Sequence, residues 1–325
     1  MSLKSTNHIN SLPHKGDKIF IADGGLETTF IFLKNIDLPE FAAFDLLNSE
    51  SGINGLRDYY QDYIDIALRN KLGLILDTPT WRASTGWGNK LGYTPADIRE
   101  YNLSSVSLMK NMREGNVTED SPMIINGAIG PQDDGYNPTQ LLSADEAEQY
   151  HSHQVEALAD AGVDMISAVT MTYAEEAIGI TRAAQSRGVP VAISFTVETD
   201  GQLPNGMSLK DAIETVDSTT NSAPAYYMIN CAHPSHFDHV LKNDARWMDR
   251  IAGLRANASC MSHAELDEAV ELDDGNPVEF GQSYAELNQL LKNLRVFGGC
   301  CGTDHRHISE VCKSVVPQEH SRTTA

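Results

Sequence analysis

Eight short apolar runs, separated by longer amphipathic stretches, recur along this 325-residue chain, and that alternation constrains the fold more than any other feature. The runs are IFIADGG (19–25), LGLILDTP (72–79), MIINGAIG (123–130), DMISAVTM (164–171), VPVAISFT (189–196), AYYMINCA (225–232), IAGLRANA (251–258) and LRVFGGCC (294–301). Each is too short for an average helix and bounded by turn residues, which reads as a buried parallel strand, and the stretches between them read as crossover helices. In GLRDYYQDYIDIALRNK, helical spacing puts Leu56, Tyr59, Tyr63 and Ile66 on one side. SADEAEQYHSHQVEALADAG opens on a Ser143/Glu146 capping box and closes at Gly162, so both helix ends are marked.

Eight such units predict an α/β fold, a single (β/α)8 TIM barrel over residues 17–316. An open doubly wound sheet is disfavoured because the first strand ends in DGGLET and no G-x-G-x-x-G follows it. Residues 1–16 and 317–325 are expected to be flexible tails.

Composition narrows the partners. Hydrophobic residues make up 41% and charged residues 21%, enough for a substantial core. A formal charge of -21 repels phosphate, which argues against nucleic acid and anionic membrane surfaces as general partners and otherwise reads as high solubility. Residues 1–16 carry no signal-like apolar run and no later segment has about 18 uninterrupted apolar residues, so the expected location is cytoplasmic. The five cysteines are an odd number, which under that expectation argues for reduced thiols and turns attention to thiol chemistry or metal binding.

In such barrels the reacting groups come from the C-terminal strand ends. Cys231 ends the sixth run in INCAHP, and Cys300 with Cys301 ends the eighth in GGCCGT. Consecutive strand residues point to opposite faces, so adjacent cysteines can share one metal only where the strand has ended and the backbone bends. Gly298, Gly299 and Gly302 allow that bend. Zinc suits three thiolates and keeps a fourth position for substrate. Two other readings stay open: small buried hydrophobes, and a vicinal redox pair. Cys260 and Cys312 match no metal pattern. His233, His236 and His239 in CAHPSHFDH fall on a loop and helix start, where capping or solvation is expected.

With these residues in place, the chain resembles the homocysteine S-methyltransferase family. DGGLET is similar to its first-strand motif, INCAHP to its first zinc-cysteine motif and GGCCGT to its closing double-cysteine motif, in that order along the barrel. The resemblance implies a zinc-thiolate enzyme that passes a methyl group to a zinc-bound thiol, with homocysteine as acceptor and methionine as product. Cys231, Cys300 and Cys301 would be the zinc ligands and the catalytic set; Asp23 matches the acidic residue of the first strand, and Thr78 a substrate-contact position after the second. The family's glutamate at the end of the fourth strand, which holds the amino group of homocysteine, is missing: Ala168, Val169 and Thr170 stand there, with Glu175 and Glu176 expected inside the following helix.

Some carboxylate must still pair a buried ammonium. Glu27 occupies a position where the family commonly has glycine, so it is the expected anchor, with Asp23 positioning the loop. One barrel uses up the chain, which leaves no module for a folate or corrinoid route and favours a free onium donor such as S-methylmethionine. Trp81 and Trp87 in PTWRASTGWGN offer π-faces to such a cation. Three rivals remain: a methyltransferase for another thiol, a metal-dependent hydrolase on the same barrel, and a non-catalytic zinc- or thiol-binding protein.

Overall fold

Each of the eight apolar runs contains a strand. In the computed structural model, which describes residues 12–241 and 246–316, these are β1 (Phe20–Ile21), β2 (Gly73–Asp77), β3 (Met123–Ile129), β4 (Met165–Met171), β5 (Val191–Phe195), β6 (Tyr226–Asn230), β7 (Ile251–Ala256) and β8 (Val296–Gly299). Every strand pairs parallel to the next, and β8 returns to β1, closing the barrel expected from the sequence.

The long outer helices are α1 (Glu50–Asn70), α2 (Pro95–Asn116), α3 (Ala144–Ala161), α4 (Ala174–Ser186), α5 (Leu209–Thr220), α6 (Pro277–Leu290) and α7 (His305–Val315), and α7 packs back on α1. Helix α1 starts at Ser49, whose hydroxyl accepts the Gly52 N–H, and buries Leu56, Tyr59, Tyr63 and Ile66 against the barrel. The capping box of α3 forms between Ser143 and Glu146, and Gly162 ends that helix at φ 77°. Between β6 and β7 the described residues hold only short helical turns, among them Pro234–Phe237. No helix among the described residues is long and apolar enough to cross a membrane.

Alternation along the strands divides the barrel into layers. Residues facing the helices, such as Leu74, Leu76, Ile125, Ile166, Ile193, Ile229 and Phe297, join the main core. Those facing inward near the strand starts, including Phe20, Ile75, Ile124, Met165, Tyr226, Met228 and Val296, form a separate apolar floor. Leu12, only 2% exposed, belongs to that floor, and the turn Pro13–Lys15 that follows is closed by the Lys15 N–H on the Leu12 carbonyl at 2.8 Å. Residues 12–16 therefore depart from the loose tail expected of them: an open floor would leave apolar surface wet, and Leu12 covers it. The rest of the two expected tails, 1–11 and 317–325, lies outside the described residues.

Candidate active site and metal centre

Above the apolar floor the inward positions turn polar. Asp77, Asn126, Ser167, Ser194, Asn230 and Arg255 stand one layer higher, each on a different strand, and all are buried. Asn126 Nδ2 donates to Asp77 Oδ1 at 2.6 Å and Ser167 Oγ to Asn126 Oδ1 at 3.1 Å. Ser194 Oγ donates to Asn230 Oδ1 at 2.6 Å. Arg255 binds Asp77 with one guanidinium nitrogen and Asp23 with another. Tyr59 Oη lies 3.1 Å from Asp23 Oδ2. Burial pushes the Asp23 carboxyl up to about 7 against the pull of Arg255, and the neighbouring Asp77 charge pushes the same way. Asp23, expected from its motif to belong to the site, thus holds the β1 end to the β7 arginine.

The three expected thiols meet at the mouth. Cys231 Sγ lies 2.7 Å from Cys300 Sγ and 3.8 Å from Cys301 Sγ, and all three sulfurs fall within 4.8 Å of one another. Cys300 follows directly on β8, so the adjacent pair converges where strand alternation has ended. Of the three glycines expected to permit the bend, Gly302 takes a left-handed φ of 78°, whereas Gly298 and Gly299 allow close packing. Gly25 of DGGLET gives the other close approach: a Cβ there would sit 2.6 Å from the Cys300 carbonyl oxygen.

Cys231 pays a backbone strain, with φ at 54° in a non-glycine residue. Its N–H donates to the Arg255 carbonyl at 3.1 Å, and its carbonyl accepts from His263 Nε2 at 2.6 Å. His263 Nδ1 sits 2.9 Å from Glu198 Oε1, and the ring stacks on Tyr136 at 3.9 Å. The Tyr136 hydroxyl in turn lies 3.4 Å from Cys231 Sγ and 3.5 Å from Cys301 Sγ. The Cys300 thiol first, then burial, pushes Cys231 well above the ordinary thiol range. Three crowded thiols that resist ionisation alone are the donor set a soft divalent cation stabilises as thiolates. By donor chemistry the residues fit zinc: the 3.8 Å pair already matches the edge of a tetrahedral site with Zn–S bonds of about 2.3 Å, and the 2.7 Å pair would open to that spacing around an ion.

The sulfurs open on a cavity of about 170 Å³, lined by Glu27, Thr78, Trp81, Arg82, Tyr136 and Arg255 among others. Glu27 is partly buried, and burial raises its carboxyl above the ordinary value. Among the described residues no other side chain hydrogen-bonds or ion-pairs with it. The Thr78 hydroxyl is already engaged, by the Ala128 N–H at 3.1 Å and by Thr80 Oγ1 at 2.6 Å, so Thr78 gives the cavity shape and no free polar group. Trp81 lines the cavity with its indole N–H on the Val169 carbonyl, and Arg82 covers one of its faces at 3.9 Å. Trp87 does not face the cavity. It is 4% exposed and already carries two cations, Arg82 at 3.6 Å and Lys90 at 3.8 Å.

At the end of β4 no acid reaches the site: Glu175 is exposed and Glu176 is turned away, to His151 Nε2 at 2.9 Å and the Gln132 N–H at 2.7 Å. His233 caps the turn at Pro234, and His236 and His239 bind the carbonyls of Cys260 and Asp200. Cys260 is exposed and Cys312 buried on α7, both apart from the cluster. Tyr136, His263, Arg82 and Arg255 were not singled out in the sequence, since none lies in a motif that marks it.

Comparison with known proteins agrees with this geometry. The sequence profile described as homocysteine S-methyltransferase matches residues 20–315. Homocysteine S-methyltransferase 1 of Brassica oleracea var. italica is 20% identical over 176 residues, 54% of this chain; the match spans about half of that relative, 53%. Homocysteine S-methyltransferase YbgG of Bacillus subtilis (strain 168) is 25% identical over 68% of this chain and 72% of its own. The crystal structure of the homocysteine methyltransferase MmuM from Escherichia coli, in its oxidized form, shares the fold with a TM-score of 0.70 at 20% identity, over 94% of this chain and 99% of that one. With the profile covering the whole barrel, from β1 to the last residue of α7, this chain belongs to the homocysteine S-methyltransferase family.

Proposed function

We propose that the chain is a zinc-dependent S-methyltransferase that moves a methyl group from a small onium donor to a thiol, with homocysteine as acceptor and methionine as product. The observation that carries this reading is the convergence of Cys231, Cys300 and Cys301 within 4.8 Å at the mouth of a cavity whose wall holds the unpaired Glu27. Cys231, Cys300 and Cys301 would hold zinc as thiolates, and the bound ion would supply the Lewis acidity by which an acceptor thiol ionises at neutral pH. In the transfer, an S–CH3 bond forms to the acceptor sulfur while the donor's onium–CH3 bond breaks. The bonding pair leaves with the neutral sulfide or amine, and the thiol proton passes to solvent.

The chain's own residues orient the partners. Glu27 takes the acceptor's ammonium in place of the glutamate absent from β4. Asp23, fixed by Arg255 and Tyr59, holds the turn on which Glu27 stands. Trp81 and Tyr136 give aromatic walls to an onium methyl, and Thr78 fixes the wall between β2 and β3. A hydrolase is disfavoured because the one cluster among the described residues suited to a metal holds only sulfur donors.

A screen of S-methylmethionine, other sulfoniums, betaine and methylfolate against homocysteine and other thiols, with products identified by mass and zinc by elemental analysis, tests the reading. Stoichiometric zinc and methionine formed from an onium donor are expected. Transfer from methylfolate alone would overturn the donor, and bound zinc with no transfer to any thiol would leave the non-catalytic rival standing.

A further inference from the structure

The mouth holds a second charged group without a partner of its own kind. Arg82 is only 5% exposed and lines the cavity, yet among the described residues its one hydrogen bond runs from Nη1 to the backbone carbonyl of Asp133 at 3.1 Å, and its buried Nε has no hydrogen-bond partner. Its guanidinium lies over the rings of both Trp81, at 3.9 Å, and Trp87, at 3.6 Å. Those rings fix its plane and strip it of water. The carboxylates of Asp134, Glu27 and Glu40 act on it through space, but none is ion-paired with it. A buried arginine ordinarily forms a forked pair with a carboxylate, because leaving the donors unmet is costly.

We propose that Arg82 binds the α-carboxylate of the amino-acid acceptor, forming with Glu27 a receptor for a zwitterion. The two side chains line one cavity with opposite charge and are not paired with each other. A lone carboxylate would be repelled by Glu27 and a lone ammonium by Arg82. A molecule carrying both charges satisfies both and leaves its side-chain thiol free to reach the three sulfurs. This proposal rests on the reading of the acceptor given above and goes beyond it by naming the group that selects an amino acid over a simple amine.

The test compares homocysteine with 3-aminopropane-1-thiol, the same molecule without its carboxylate, in the zinc-loaded enzyme. The wild type should favour homocysteine roughly ten- to a hundredfold in KM, and Arg82→Gln should erase that preference by raising KM for homocysteine and lowering it for the amine thiol that Arg82 repels, with zinc content unchanged. Arg82→Lys, which keeps the charge and loses the fork, should fall between. Because stacking makes Arg82 part of the wall, the wild-type comparison needs no variant and stands if Arg82→Gln fails to fold. Calorimetric binding of methionine against 3-(methylthio)propylamine repeats the comparison without turnover, so it holds even if methyl transfer is not observed. Equal use of the two thiols by the wild type, or an Arg82→Gln effect confined to KM of the donor, overturns the assignment.

Discussion

Replacing Arg255 with methionine leaves Asp23 and Asp77 in the barrel interior without the cation they share. Methionine keeps most of the side chain's length and apolar stem, so the change isolates charge. Removing one member of a buried ion pair costs about 3–5 kcal/mol, because the remaining charge stays desolvated. The cost must depend on pH. In the folded chain Asp23 is raised from its ordinary 3.8 to about 7, so between those values the folded state holds a proton that the unfolded state has lost. Stability therefore falls as pH rises through that window and levels off above about 7. Without Arg255 the Asp23 carboxyl moves higher still, because the cation that pulls it down is gone, and the decline extends further up in pH. The Arg255→Met loss should therefore be larger at pH 8 than at pH 5.5. Urea unfolding of wild type and variant, followed by circular dichroism at both pH values, gives the two differences directly. A loss below about 1 kcal/mol, or one of equal size at both pH values, refutes the account of a shared buried cation.

Cys301→Ala should release zinc to a chelator far faster than wild type and lose methyl transfer, whereas Cys260→Ser, at an exposed thiol, should change neither; full zinc occupancy in Cys301→Ala would remove it from the ligand set. Glu27→Gln should lower kcat/KM for homocysteine about ten- to a hundredfold with zinc content unchanged, and unaltered kinetics would dismiss the ammonium anchor. Gly25→Ala puts a Cβ 2.6 Å from the Cys300 carbonyl and should shift that residue, seen as weakened zinc retention in a chelator competition; wild-type retention would show that the turn can yield. Leu12→Ala opens the barrel floor and should cost about 2–5 kcal/mol in urea unfolding while leaving zinc stoichiometry intact, and a change under about 1 kcal/mol would mean that Leu12 does not seal it.

The barrel was legible because its signals are local. Apolar runs of strand length, a capping box at Ser143 and the closing Gly162 each act within a few residues. The thiol cluster was legible for a related reason: Cys231 and the Cys300–Cys301 pair mark strand ends, and the closed barrel brings all strand ends to one rim. Arg255 was hidden because its partners Asp23 and Asp77 are distant in sequence and meet it only across the barrel. Tyr136 stacks from the loop after β3 on His263, which opens the short helix His263–Glu268 after β7, and no periodicity specifies the paths that bring them together. Trp81 and Trp87 look alike as tryptophans near a strand end, yet the helical turn Thr85–Lys90 carries Trp87 away from the cavity and under Lys90. The polar belt did leave a trace. Asp77, Asn126, Ser167, Ser194 and Asn230 each lie two residues beyond an apolar floor position on the same strand, and that break in apolarity marks where the barrel turns toward its mouth.

That belt sorts inherited change by height. A substitution in the apolar floor alters how firmly the chain folds, and one in the cavity wall alters which molecules it handles, but the belt joins Asp23, next to the turn bearing Glu27, to Arg255, whose carbonyl holds Cys231. Lineages that drift in substrate can therefore rewrite Glu27, Trp81 or Arg82 one at a time. Any change to Asp23, Asp77 or Arg255 must arrive with a compensating partner, so these three should vary together or stay fixed.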